Sequence, residues 1–478
     1  MCGFGSTRTL TVCAHVHTDT GVGMERNVEA ARGWLSKAAA ANDARAMLDL
    51  GCLLLRQAVG EWTGGPPAHG WRSLGKGTRK DLTRGLVWLH KAADKGEGDS
   101  LFLSAALSLQ GALALSEAGV QGSSVTARRL QVVVRGGWLH VDSDVARAGN
   151  LLVGCSPSGA WEQDESEDAL VDEDGHVSTE GGHAEAIEDV IGSRVGEFGV
   201  LRAIEFLEKA VTPGEGGAGK PMSWHNATLL LAGCLWEGVG GRGGRRRSIE
   251  LLQGLVHTCR SRNGLFLLSQ QPSQRQPPLP SDGSEASVRQ ILREAVYRLA
   301  SGLVLRGARD VTHHGHRKVD MKDAVRMFRE GAEAGDVRCM VNFAALCLST
   351  SEGSITGDIC KDNVVQKDKM RQEAVKWLKI ASDMGCGAAL MNLALYHLQA
   401  EKGGVKEEGS GGESQFIELL ERAANAGDVA AQWRFDLCMH ACTFCGRGVG
   451  RRAEHTDTCL HIASWKHVEV LCMLGLRV

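Results

Sequence analysis

The sequence predicts an all-α chain, a solenoid of antiparallel helix pairs with disordered insertions. Three observations carry that prediction. The 478 residues hold only 9 prolines, and none lies beyond position 280. Proline breaks helices, so the prolines mark linkers and the second half is free to be continuously helical. Next, three C-terminal segments align without gaps: "AVRMFREGAEAGD" from Ala324, "AVKWLKIASDMGC" from Ala374 and "FIELLERAANAGD" from Phe416. Their glycines, Gly335, Gly385 and Gly427, keep one offset, although the repeats are spaced 50 and 42 residues apart. Lastly, each glycine is followed by a second stretch with apolar residues at helical spacing, such as "VRCMVNFAALCLS" and "GAALMNLALYHLQ".

Each element follows from this pattern. In one copy Ala374, Trp377, Leu378 and Ala381 fall at i, i+3, i+4 and i+7, one face of a helix. The small alanines let a neighbouring helix approach closely. The glycine then ends the helix as a left-handed C-terminal cap. Earlier copies read "ARGWLSKAAAAND" from Ala31 and "GLVWLHKAADKGE" from Gly85; weaker ones begin at Ala203 and Ser248. Two helices are too few to bury their own apolar faces, so the units must stack.

These residues resemble the Sel-1-like repeat, a relative of the tetratricopeptide repeat. Its second helix reads A-x-x-W-x-x-K-A-A-x-x-G, carried best by "WLHKAADKG" at 88–96 and "WLKIASDMG" at 377–385, while 394–408 is similar to its first helix and loop. The resemblance implies a right-handed superhelix and a non-enzymatic adaptor that binds other proteins or peptides through its concave face. The chain then divides into a tail (1–24), repeats (25–117), an acidic, Gly-rich insertion (118–196), degenerate repeats (197–265), a Pro/Gln/Ser linker (266–287), repeats (288–437) and a Cys/His-rich segment (438–478). Within the insertion, eight acidic residues fall in positions 161–174, a run that reads as a solvated segment.

Composition narrows the function. Lys plus Arg is 54 and Asp plus Glu is 57, a net charge of −3. So even a balance gives no electrostatic case for a global nucleic-acid or membrane binder. Apolar residues are 43% and charged residues 23%, as in a soluble globular protein. No signal-peptide core or membrane-spanning run stands out, and the 15 cysteines have no disulfide-scaffold spacing. The expected setting is therefore cytoplasmic or nuclear. Two G-x-x-x-x-G-K strings, at 70–76 and 214–220, lack the following Ser or Thr and follow no strand. No catalytic constellation and no small-molecule substrate can be argued from spacing.

Three groups of residues are candidates for function. Asn342 and Asn392 coincide when units are aligned by 50 residues, and Arg434 takes that place on a shift of 42. A side-chain amide lining the groove could clamp an extended partner backbone. No cofactor is required, but Cys442, Cys445, His455 and Cys459 read C-x2-C-x9-H-x3-C, a set that could hold one tetrahedral zinc ion. That string is similar to a C2HC finger, and Trp465, His467 and Cys472 resemble the tail of a MYND-type finger. A zinc-containing regulator is accordingly the second reading. The third is an RNA-associated factor using "GRGGRRR" at 241–247, expected in a loop between helices. His313, His314 and His316 lie in the equivalent loop of a later unit.

Overall fold

A computed structural model of the protein describes residues 27–60, 76–117, 124–140, 197–212, 222–239, 244–263, 283–309, 314–349, 364–402, 412–429, 431–433 and 435. Among them all regular structure is α-helical. In chain order the helices are α1 (Val28–Ala40), α2 (Ala44–Gly60), α3 (Lys76–Asp94), α4 (Gly98–Glu117), α5 (Ser124–Arg135), α6 (Glu197–Val211), α7 (Met222–Glu237) and α8 (Gly244–Asn263). They continue with α9 (Gly283–Arg309), α10 (His314–Glu333), α11 (Val337–Ser349), α12 (Val364–Asp383), α13 (Gly387–Lys402) and α14 (Gly412–Asn425). The chain forms two compact units, Met1–Leu255 and Val256–Val478.

Each unit is a succession of helix pairs, as an α/α solenoid requires. Two kinds of junction alternate. A three-residue turn joins α1 to α2, α3 to α4, α10 to α11 and α12 to α13, and such short connections make neighbours antiparallel. The more extensive packing is across the longer connections: α2 on α3, α4 on α6, α9 on α10, α11 on α12 and α13 on α14.

The short turn is built the same way in every copy. Gly96, Gly335, Gly385 and Gly427 have φ of 79°, 83°, 81° and 85°, and Asn42 takes the same place at φ 72°. Glycine adopts this conformation without a Cβ clash, and Asn is the side chain that tolerates it next best. The amide after each left-handed residue reaches back to the last turn: Asp43 N donates to Ala38 O, Glu97 N to Ala92 O, Asp336 N to Gly331 O, Cys386 N to Ala381 O and Asp428 N to Ala423 O. That is a Schellman closure. In four copies the same residue is acidic and caps the next helix. Asp43 Oδ1 accepts from Ala46 N at 3.1 Å, Glu97 Oε2 from Ser100 N at 2.7 Å, Asp336 Oδ1 from Cys339 N at 3.2 Å and Asp428 Oδ1 from Ala431 N at 2.8 Å. Satisfying these amides contributes about 1 kcal/mol per cap.

Small residues set how closely the helices approach. In α2 and α3, Gly51 and Gly85 oppose each other so tightly that a Cβ on Gly51 would lie 2.9 Å from Gly85 O. The equivalent positions elsewhere are Ala105 and Ala203, then Ala344 and Ala374, all fully buried. Leu35, Leu89, Leu207, Phe328, Leu378 and Leu420 recur on the inner face of successive second helices, each 2% exposed or less. Burying one such side chain contributes about 1.5–3 kcal/mol.

The stretch 118–196, read from sequence as one insertion, contains an ordered piece of the first unit. Helix α5 buries Leu130 and Val133, and Trp138 just beyond it is 1% exposed. The Trp138 ring lies over Gly233 of α7, where a Cβ would come within 2.6 Å of the indole. The linker read as 266–287 also ends early, since α9 begins at Gly283.

Candidate partner-binding surface

The first helix of each repeat, here helix A (α2, α4, α11 and α13), presents positions that can be counted from its capping residue. The sixth position after the cap is Asp49 in α2, Leu103 in α4, Asn342 in α11 and Asn392 in α13. Asn342 and Asn392 therefore share a register on two helices that touch each other. They are 4% and 6% exposed, among the buried apolar residues Val341, Phe343, Met391 and Leu393. Asp49, at the same register in the first unit, escaped the sequence comparison because its repeat is not spaced by 50 or 42 residues. Its register becomes legible only by counting from the turn. Its Oδ1 lies 3.5 Å from Arg45 Nε.

Charged residues line the starts of the same helices. Arg338 in α11 donates to Asp336 Oδ2 at 2.9 Å and approaches Glu294 Oε2 of α9 at 2.7 Å. Its guanidinium also sits 4.3 Å from the centre of the Tyr297 ring, a cation–π contact. Burial works against the Arg338 charge, but its hydrogen bond to Asp336 and the attraction of Glu294 outweigh it and raise the pKa above the ordinary arginine value. Arg298 Nε donates to the other oxygen of Glu294 at 2.6 Å. Two arginines and two carboxylates thus form a neutral, half-buried cluster. Arg45 holds the same second position in α2 and pairs with Asp99 of α4 at 2.8 Å.

The second unit carries further cross-links of this kind. Arg306 of α9 binds Asp320 of α10 through two hydrogen bonds of 2.7 and 2.5 Å. Arg329 of α10 pairs with Glu373 of α12, and Arg260 of α8 with Glu330 of α10. Two-pronged arginine–carboxylate pairs fix geometry as well as charge, so these pairs set how successive helices sit.

Of the basic string expected in a loop, Gly244 to Arg247 form instead the first turn of α8, while 241–243, with Arg242, lie outside the described residues. Arg246 pairs with Glu250 at 3.1 Å and Arg247 with Glu208 at 2.8 Å. Arg245 rests against the Trp236 ring, 5.6 Å from its centre. Arginine is a good helix former, and Arg245 to Gln253 holds no Gly or Pro, which lets the helix begin at Gly244. His314 and His316 likewise fall within α10. Arg434, Cys442, Cys445, His455 and Cys459 lie outside the described residues, as do His313 and residues 161–174.

Among the described residues no group of three or more His, Cys, Asp or Glu could hold a metal ion. Cys52, Cys234, Cys259, Cys339, Cys347 and Cys386 are free thiols. Burial pushes the Cys52 thiol up to about 11 and that of Cys234 up to about 12. Thiols so far from ionisation are packing groups, not nucleophiles. No helix among the described residues is long and apolar enough to cross a membrane.

Comparison with known proteins matches five segments of the chain to a family. The Sel1 repeat matches residues 17–43, 70–97, 293–336, 362–386 and 417–428. No curated protein matches the chain. Among solved structures it aligns with a protective antigen of uropathogenic Escherichia coli displaying an SLR fold, at 18% identity, over 98% of this chain and 87% of that one, with a TM-score of 0.27. The five matched segments end on Asp43, Glu97, Asp336, Cys386 and Asp428, the residue that follows each left-handed cap, so five segments of the chain match the Sel1 repeat.

Proposed function

We propose that the chain is a non-enzymatic adaptor that binds a protein or peptide partner through its A helices, in the cytoplasm or nucleus. One observation carries the reading: Asn342 and Asn392 keep an amide at one register of adjacent helices, where α4 has Leu103. A buried amide costs about 1–3 kcal/mol unless its hydrogen bonds are made. A face selected only for packing would therefore carry Leu, as α4 does. An amide pair one repeat apart suits the backbone of an extended peptide, whose carbonyl and N–H groups recur along the chain. Sel1 repeats commonly mediate protein–protein contacts, which supports the same reading.

The test is a partner captured on the wild-type chain, purified and titrated against it directly. The Asn342→Ala, Asn392→Ala double variant should bind at least about tenfold more weakly, with its helical circular-dichroism spectrum and melting temperature retained. A variant that keeps both its fold and its affinity would remove the Asn-based clamp. RNA titration in rising salt separates the RNA-associated alternative; Arg246 and Arg247 each already face a carboxylate.

A further inference from the structure

The A helix after α14 begins at Asp428 and carries Val429 and Trp433 one turn apart, 76% and 63% exposed. These are the two most exposed large apolar residues among those described. Trp433 stands at the fifth position after the cap. In the other repeats that position is Leu48, Phe102, Val341 and Met391, each 3–6% exposed. The same register is thus buried four times and open once.

The following repeat is what covers this register elsewhere. Leu48 belongs to a cluster with Leu82, Leu89 and Ala92 of α3 and Leu107 of α4. Met391 clusters with Phe416, Leu420 and Ala423 of α14 and with Ala431 beyond it. Val429 occupies the first position, held by Gly98 and Gly387 in other repeats. A Cβ on Gly387 would meet Asp428 Cβ at 2.8 Å, and one on Gly98 would meet Ser223 Oγ of α7 at 3.5 Å. Both positions therefore face the next repeat.

We propose that residues 464–475 of this chain cover Val429 and Trp433 as the second helix of a further repeat. Gly475 lies 48 residues beyond Gly427, between the spacings of 50 and 42 that separate Gly335, Gly385 and Gly427. In the stretch "SWKHVEVLCMLG", Val468, Leu471, Cys472 and Gly475 fall at i, i+3, i+4 and i+7, one helix face. Val468 stands seven residues before the glycine, as do Leu35, Leu89, Phe328, Leu378 and Leu420 before their left-handed residue. The stretch between Phe435 and Ser464 contains Cys442, Cys445, His455 and Cys459.

Hydrogen exchange of the full chain, read by mass spectrometry at two protein concentrations, tests this. Peptides over 429–435 and 464–475 should both be protected, to within about tenfold of 387–395, independently of concentration. Leu471→Asp should then speed exchange at 429–435 by about tenfold or more and leave 44–59 unchanged. Free exchange at 464–475 in the wild type overturns the proposal whatever the variant does. Protection of 429–435 that fades on dilution overturns it in favour of a second copy of the chain, and protection unmoved by Leu471→Asp overturns it in favour of another cover.

Discussion

Replacing Gly331 by Ala should destabilise the second unit, and Cys339→Ala should rescue it. Gly331 accepts the Schellman hydrogen bond of its turn, and Cys339 sits three residues into the next helix, fully buried. A Cβ on Gly331 would lie 2.4 Å from Cys339 Sγ and 2.8 Å from its Cβ. Ordinary contact begins near 3.4 Å, so about 1 Å must be recovered by moving a helix. Overpacking of this kind costs about 1–3 kcal/mol. Ala gains up to about 1 kcal/mol over Gly in a helix interior, which leaves a net loss of up to about 2 kcal/mol. The other turns place Ala38 with Ala46, Ala92 with Ser100, Ala381 with Ala389 and Ala423 with Ala431 at these two positions. The double variant restores that pairing and keeps the propensity gain, so it should melt at or above the wild type. Thermal melts of the four proteins, followed by circular dichroism, give the coupling free energy between the two sites. A coupling of about 1–3 kcal/mol is expected; effects that add to within about 0.5 kcal/mol would refute the argument.

Trp138→Ala should cost the first unit about 3–5 kcal/mol, because the indole is fully buried against Gly233; a loss under about 1 kcal/mol on urea unfolding would show that 124–140 is dispensable. Asn42→Ala should lower stability by about 1 kcal/mol, whereas Asn42→Gly should hold or raise it, since φ is 72° there; equal melting temperatures for the two would contradict the conformational account. His90 meets the Phe206 ring edge-on, and burial, then the nearby Arg202 charge, lower its pKa to about 4. The unfolded chain therefore binds a proton that the folded one refuses between about pH 6.5 and 4, and stability falls as pH drops through that window by about 1–3 kcal/mol. Burial raises the pKa of Glu97, which acts in the opposite direction. The informative measurement is the difference between wild type and His90→Gln, whose acid limb should be the flatter; parallel limbs would exclude His90 as the cause.

Much of the fold is legible in the sequence because its determinants are local. The period of Trp377, Leu378 and Ala381 fixes a helix and its inner face, and Gly96, Gly335, Gly385 and Gly427 adopt the left-handed caps that their offsets predict. Asn42 shows how the rule survives a substitution: it stands at the glycine offset and takes the glycine conformation. The Asn342 and Asn392 register was legible for the same reason, since equal spacing from a shared turn places both on one line.

What the sequence could not determine depends on groups far apart in the chain. Trp138 reads as part of an insertion, and only the bare backbone at Gly233, 95 residues on, gives it a place to bury. Gly331 and Cys339 stand where the other copies carry alanine or serine; only their contact makes them one compensated pair. Arg247 reads as free positive charge until α6 brings Glu208 to it. Helix periodicity and turn geometry are properties of a few consecutive residues, so the sequence alone determined the repeat. Volume matching and charge pairing act between residues dozens of positions apart, so the tertiary structure alone decided which faces are filled and which arginines are paired.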